Sequence, residues 1–135
     1  MMAKHHDALI YTMVLASAAD RDMTDMEVET ISEMVRFLPV FRDFDPSAIA
    51  PIANGCVNML SDEDGLEAAV GFIRDTLPKK LRETAYAIAC DIVAADGNAS
   101  QEELRLLEIL RHRLDVDRLI AAAIERGARA RHVTV

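Results

Sequence analysis

The chain has 135 residues and a net charge of −8; 51% of it is hydrophobic and 4% aromatic, with no Trp. A chain of this length makes one domain, burying roughly two-thirds of the surface its unfolded form exposes. The acidic balance excludes nucleic acid as a main partner, because phosphate-backbone binding needs a basic surface.

The apolar mass is Ala, Leu, Ile, Val and Met, which suits helices packed side by side, and no alternating strand pattern interrupts it. The reading is an all-α, single-domain bundle of about seven helices spanning residues 1–135. The first helix is expected over residues 3–19, with Leu9, Ile10, Met13, Val14 and Ala16 as its inward stripe. After a polar turn, Thr24 with Glu27 three residues later forms a capping box for the second helix. That helix turns Ile31, Met34, Val35 and Leu38 to one face and ends before Pro39. Phe41 and Phe44 in the following loop are expected to fold back onto the core.

Asp45-Pro46 reads as an N-cap with a proline at the first helical position. A third helix then turns Ile49, Ile52, Ala53, Cys56, Val57 and Leu60 inward. Pro51 lacks the N–H for a bond four residues back, so this helix either kinks there or begins near it. Residues 61–64 make a turn and cap. The fourth helix places Leu66, Ala69, Val70, Ile73 and Leu77 inward, is weakened by Gly71, and breaks at Pro78. The fifth, over residues 79–95, carries Leu81, Ala85, Ile88, Ala89, Ile92 and Val93. Ser100 and Glu103 form a second capping box, opening a sixth helix with Leu104, Leu107, Leu110 and Leu114. A short seventh, over residues 116–126, presents Leu119, Ile120, Ala123 and Ile124 and stops at Gly127.

Cys56 and Cys90 sit in apolar helical patterns without metal-ligand spacing, which reads as two buried thiols in a reducing cytoplasm. Lys4-His5-His6 and the apolar run after it imitate a signal peptide. Asp7, Thr12 and Ser17 dilute that run, and it occupies the place that residues 85–95 hold in the second half, so it reads as a helix of the fold. No run reaches the ~20 apolar residues of a membrane span. Arg126, Arg129, Arg131 and His132 read as a solvated end.

One polar turn occurs twice. Aligning Asp20 with Asp96, both segments read A-A-D-x-[D/N]-x-[T/S]-x-x-E, and each joins two apolar helical runs. The two helix-turn-helix hairpins, residues 3–38 and 79–114, form a pseudo-repeat around the central pair. Small residues at Ala16, Ala18, Ala19, Ala89, Ala94 and Ala95 would let the two pre-turn helices approach closely. The oxygens of Asp20, Asp22, Thr24 and Glu27, and of Asp96, Asn98, Ser100 and Glu103, are spaced to converge as ligands for a hard cation such as calcium or magnesium. The start is similar to a calcium-loop opening, but the sixth-position glycine and the twelfth-position glutamate of an EF-hand are absent. Turn chemistry and two capping boxes explain much of the same pattern without an ion.

Ala94-Ala95-Asp96-Gly97, then Ser100 and Glu103, then a leucine-spaced helix, with a degenerate earlier copy, resembles the TerB-like family named for tellurite resistance. A related domain occurs in certain DnaJ-like co-chaperones. The resemblance implies an all-helical domain of about seven helices, a divalent-cation role for the acidic turns, and bacterial stress or membrane-associated assemblies. It also implies a cytoplasmic location, in places peripheral to the inner membrane. The first copy has Arg21 where the second has Gly97, a cation that either extends outward or replaces the ion.

Three function classes follow. The leading one is a non-enzymatic binding module whose turns hold a divalent cation or a basic protein partner. The second is a helical scaffold or homodimerisation domain without a metal site. The third is an enzyme, for which His112 and Glu108, one turn apart, are the best raw material. His5, His6 and His132 lie near the termini, where disorder is the expectation. Met59 and Phe72 fit a partner groove or, better, buried core.

Overall fold

The structure, a computed structural model, describes residues 4–18, 24–95, 97 and 99–135. Its described residues form seven α-helices and three single 3-10 turns, with no strand. The helices are α1 (Lys4–Ala18), α2 (Asp25–Phe37), α3 (Ile49–Leu60), α4 (Gly65–Thr76), α5 (Arg82–Ala95), α6 (Gln101–Arg113) and α7 (Arg118–Arg131).

Two helices form the centre. In α1, Ala8, Leu9, Ile10, Met13, Val14, Leu15 and Ala16 are all buried. Thr12 joins them because its hydroxyl donates to the Ala8 carbonyl at 2.9 Å, which removes the cost of burying it. Instead of the one-sided stripe expected from spacing, α1 is apolar nearly all round, as a helix surrounded by others must be. It packs on α2, α3, α4, α5 and α6. α5 is similar, burying Ala85, Tyr86, Ile88, Ala89, Cys90, Ile92 and Val93. The α1–α5 packing is the most extensive between any two of these helices.

α2 buries only Ile31 and Val35 and ends where Leu38 turns extended ahead of Pro39. The 3-10 turn Pro39–Phe41 drives Phe41 into the core, and Phe44 packs beside it, as expected. His6 departs from the expectation of a disordered start. Its Nε2 lies 2.7 Å from the Val40 carbonyl, and its ring stacks on Phe41 and tilts against Phe44.

The 3-10 turn Pro46–Ala48, capped by Asp45, leads into α3. Pro51 falls in the first turn of α3, where no carbonyl four residues back needs its N–H, so no kink arises. Asp64 precedes α4 without making the side-chain cap hydrogen bond expected of it. The decisive residue there is Gly65: a Cβ would overlap the backbone of Met59 and Leu60, so only glycine lets α4 start against the end of α3. Leu66 is 40% exposed, not inward, while Ala69, Val70, Ile73 and Leu77 are buried as expected.

The last two helices correct the expected faces. In α6 the buried leucines are Leu106 and Leu110, joined by Leu114 at its C-cap, whereas Leu104 is largely exposed and Leu107 only partly covered. A helix this rich in leucine offers two apolar faces, and spacing alone does not choose between them. α7 begins after Asp117, whose carboxylate accepts from the Leu119 and Ile120 N–H groups. It buries Ala121 and Ala128, leaving Leu119 80% exposed and Ile120 and Ala123 exposed. It also runs through Gly127 to Arg131. A helical glycine costs about 1 kcal/mol, offset here by burial of Ala128 and by Arg131 pairing with Asp91 of α5 at 2.5 Å. His132 Nε2 lies 3.7 Å from the same carboxylate, so two groups expected to be solvated sit against α5 at the final turn.

Candidate functional site

The two inter-helix turns close in the same way. At the start of α2, the Thr24 N–H donates to Glu27 Oε1 at 2.8 Å and the Glu27 N–H donates back to the Thr24 hydroxyl at 3.2 Å. At the start of α6, the Ser100 N–H donates to Glu103 Oε1 at 2.8 Å and the Glu103 N–H donates to the Ser100 hydroxyl at 3.1 Å. Both are complete capping boxes, satisfying two orphan N–H donors apiece. Gly97 adopts φ +80°, where a Cβ would be strained, and its N–H donates to the Ala94 carbonyl.

Of the eight expected cation ligands, Thr24, Glu27, Ser100 and Glu103 are therefore engaged as caps. Asp20, Asp22, Asp96 and Asn98 lie outside the described residues. Among the described residues no three His, Cys, Asp or Glu side chains gather as metal ligands. Each box fixes one glutamate oxygen, and the Glu103 Oε2 takes no hydrogen bond among the described residues. The donors in each turn are all carboxylate, amide or hydroxyl oxygens, a set that suits a hard cation and not a soft one. Both cysteines are buried in helices away from the turns. Burial pushes each thiol up to about 12, well above the range in which a thiolate forms at neutral pH.

Sequence spacing did not reveal a groove of about 800 Å³ over α5, between α6 and α7. Its floor holds Tyr86, Cys90, Val93 and Ala121. The Tyr86 hydroxyl donates to Glu125 Oε2 at 2.5 Å. Burial and then the Glu125 bond hold the Tyr86 phenol well above its ordinary range. The rim carries Arg111, His112, Arg118 and Arg129 against Glu108. His112, one turn from Glu108, has its Nε2 2.9 Å from Arg111 Nη2. Ala121, Ala122 and Ala128 of α7 line the groove, and side chains this small are its signal in the sequence.

The family model described as tellurite resistance protein TerB matches residues 6–125, nearly the whole chain. The chain belongs to the TerB family. No curated protein and no solved structure matches it. In this TerB domain the match runs from the first turn of α1 to the middle of α7, so both capped turns fall within it. No described helix is long and apolar enough to cross a membrane. Met59 and Phe72 pack against the core, Phe72 with its ring 4.8 Å from that of Tyr11.

Proposed function

We propose that this TerB domain is a non-enzymatic binding module in a tellurite-resistance or related stress response, and that its acidic inter-helix turns hold a divalent cation. The observation that carries the reading is the double capping box. Two turns of the same oxygen-rich composition end in a glutamate pinned in the same way, at 2.8 Å from the cap N–H. Pinning orders the glutamate before any ion arrives, which lowers the entropy lost on binding. Asp96, Asn98, Ser100 and Glu103 would hold the ion in the second turn, and Asp20, Asp22, Thr24 and Glu27 in the first. Calcium or magnesium would supply charge neutralisation there, allowing acids crowded in a short turn to remain ionised together.

Three or four protein oxygens per turn correspond to weak binding, on the order of 10⁻⁴–10⁻³ M. At ~10 mM calcium such a site stabilises the fold by more than ~1 kcal/mol. Calorimetric titration and thermal melts test this directly. Asp96→Ala and Glu103→Ala should each abolish the calcium-dependent rise in Tm. Absence of binding heat together with an unchanged Tm at that concentration removes the cation reading.

A second reading, a plain helical scaffold, is favoured by the same cap bonds taken alone. It expects Asp96→Ala to be nearly silent, and Ser100→Ala or Thr24→Ala to cost about 1 kcal/mol each, with or without calcium.

A further inference from the structure

We infer that two copies of this chain pair by seating the exposed face of α2 from one in the α5–α6–α7 groove of the other. The groove is lined mostly by apolar side chains, and its three arginines outnumber its two acids, Glu108 and Glu125, although the chain as a whole carries a net charge of −8. Arg118 and Arg129 stand on its rim, and neither makes a hydrogen bond or ion pair among the described residues. Glu125, one turn before Arg129, takes the Tyr86 hydroxyl instead, and an acidic occupant would give both arginines a partner.

The chain presents such an occupant. On α2, Met26 is 77% exposed and Phe37 is 83% exposed. At 100° per residue the two share one face, about three turns or ~16 Å apart. Glu29 and Glu33 lie between them on that face, and neither is engaged in a hydrogen bond or ion pair among the described residues. Ile31 and Val35 point the opposite way into the core, so α2 is already anchored with this face outward. Two large apolar side chains flanking two carboxylates match an apolar trough edged by arginines, the arrangement of helix-in-groove recognition. Phe37 and Met26 would fill the trough while Glu29 and Glu33 meet Arg118 and Arg129.

Every copy carries both halves of the contact. Reciprocal seating fills both grooves and closes a twofold dimer, whereas one-way seating propagates into chains. The pairing is independent of any cation in the acidic turns.

Sedimentation velocity of the full chain, up to about 200 μM, tests the pairing, since an interface of micromolar Kd is well populated there. Concentration-dependent association that weakens with added salt is expected. Phe37→Ala should weaken it at least tenfold. The double variants R118E/R129E and E29R/E33R should each be monomeric, because each sets like charge against like. Mixed together they should associate again, since each then offers the other a matched helix and a matched groove. Circular dichroism before mixing identifies any variant that has lost its helices, and Phe37→Ala then carries the test. A wild-type chain that stays monomeric throughout overturns the pairing, leaving the groove to a different occupant. Association that ignores both charge reversal and Phe37→Ala overturns it equally.

Discussion

The Tyr86 hydroxyl donates to Glu125 Oε2 at 2.5 Å, joining the buried face of α5 to α7 through one charge-assisted bond. Tyr86 is among the largest fully buried side chains, and its ring lies in the floor of the groove. Tyr86→Phe keeps the ring and removes the donor, so Glu125 loses its partner while its surroundings stay half-buried. The expected cost is about 1–2 kcal/mol, the lower part of the range for bonds to charged groups. Urea unfolding should show a lower midpoint with an unchanged slope.

Alkaline pH should unfold the protein through groups that the fold keeps protonated. The Cys56 and Cys90 thiols rise from 9.0 to about 12, and the Tyr86 phenol lies above its ordinary value. The folded chain therefore holds protons that the unfolded chain releases above about pH 9. These contributions are complete below that pH and are lost progressively as pH climbs toward 12. Urea midpoints measured from about pH 8 to 11 should fall, and Cys56→Ala should flatten part of the decline. A midpoint that rises over this interval contradicts the assignment.

Gly65→Ala should be among the most damaging single-methyl changes in the chain. The added carbon would meet the Met59 carbonyl and the Leu60 backbone, neither of which can rotate away as a side-chain tip would. Overpacking of this kind costs about 1–3 kcal/mol, and a melt of Gly65→Ala should show Tm lowered by several degrees. Gly71→Ala provides the contrast. The nearest atom to its added carbon is the tip of Arg113 at 3.9 Å, and alanine is the better helix former, so stability should hold or improve.

Removing residues 128–135 should cost more than trimming a solvated end would. The truncation deletes buried Ala128 and the Arg131–Asp91 pair. A loss of about 1–2 kcal/mol is expected, mostly from apolar burial, because Arg131 and Asp91 are partly exposed and solvent screens their attraction. Chemical denaturation of the shortened chain measures it. Arg131→Ala alone should cost less than about 1 kcal/mol.

The elements themselves were legible in the residues. Thr24 with Glu27 and Ser100 with Glu103 announce two helix starts, because a hydroxyl and a carboxylate three residues apart can satisfy orphan N–H groups locally. Pro39 and Pro78 mark breaks for an equally local reason, the restriction proline places on the residue before it. Ala69, Val70 and Ile73 face the core as the spacing of α4 predicts, while Leu66 on the same stripe opens to solvent in the first turn. The acidic turn and the TerB resemblance it carries were also legible, since composition and spacing are properties of the chain alone.

What only the tertiary structure decided was which face of a two-faced helix meets the core, and what lies between helices distant in sequence. Leu106 rather than Leu104 is buried because of where α5 and α1 stand relative to α6. Gly127 fails to stop α7 because Asp91, 40 residues from Arg131, waits beside the next turn. Gly65, His6 against Val40 and Phe41, and the Tyr86–Glu125 floor of the groove are likewise products of long-range contact. Periodicity and capping are energies within a few residues of one segment. Burial and groove formation depend on how whole segments are placed against one another, and no local pattern encodes that.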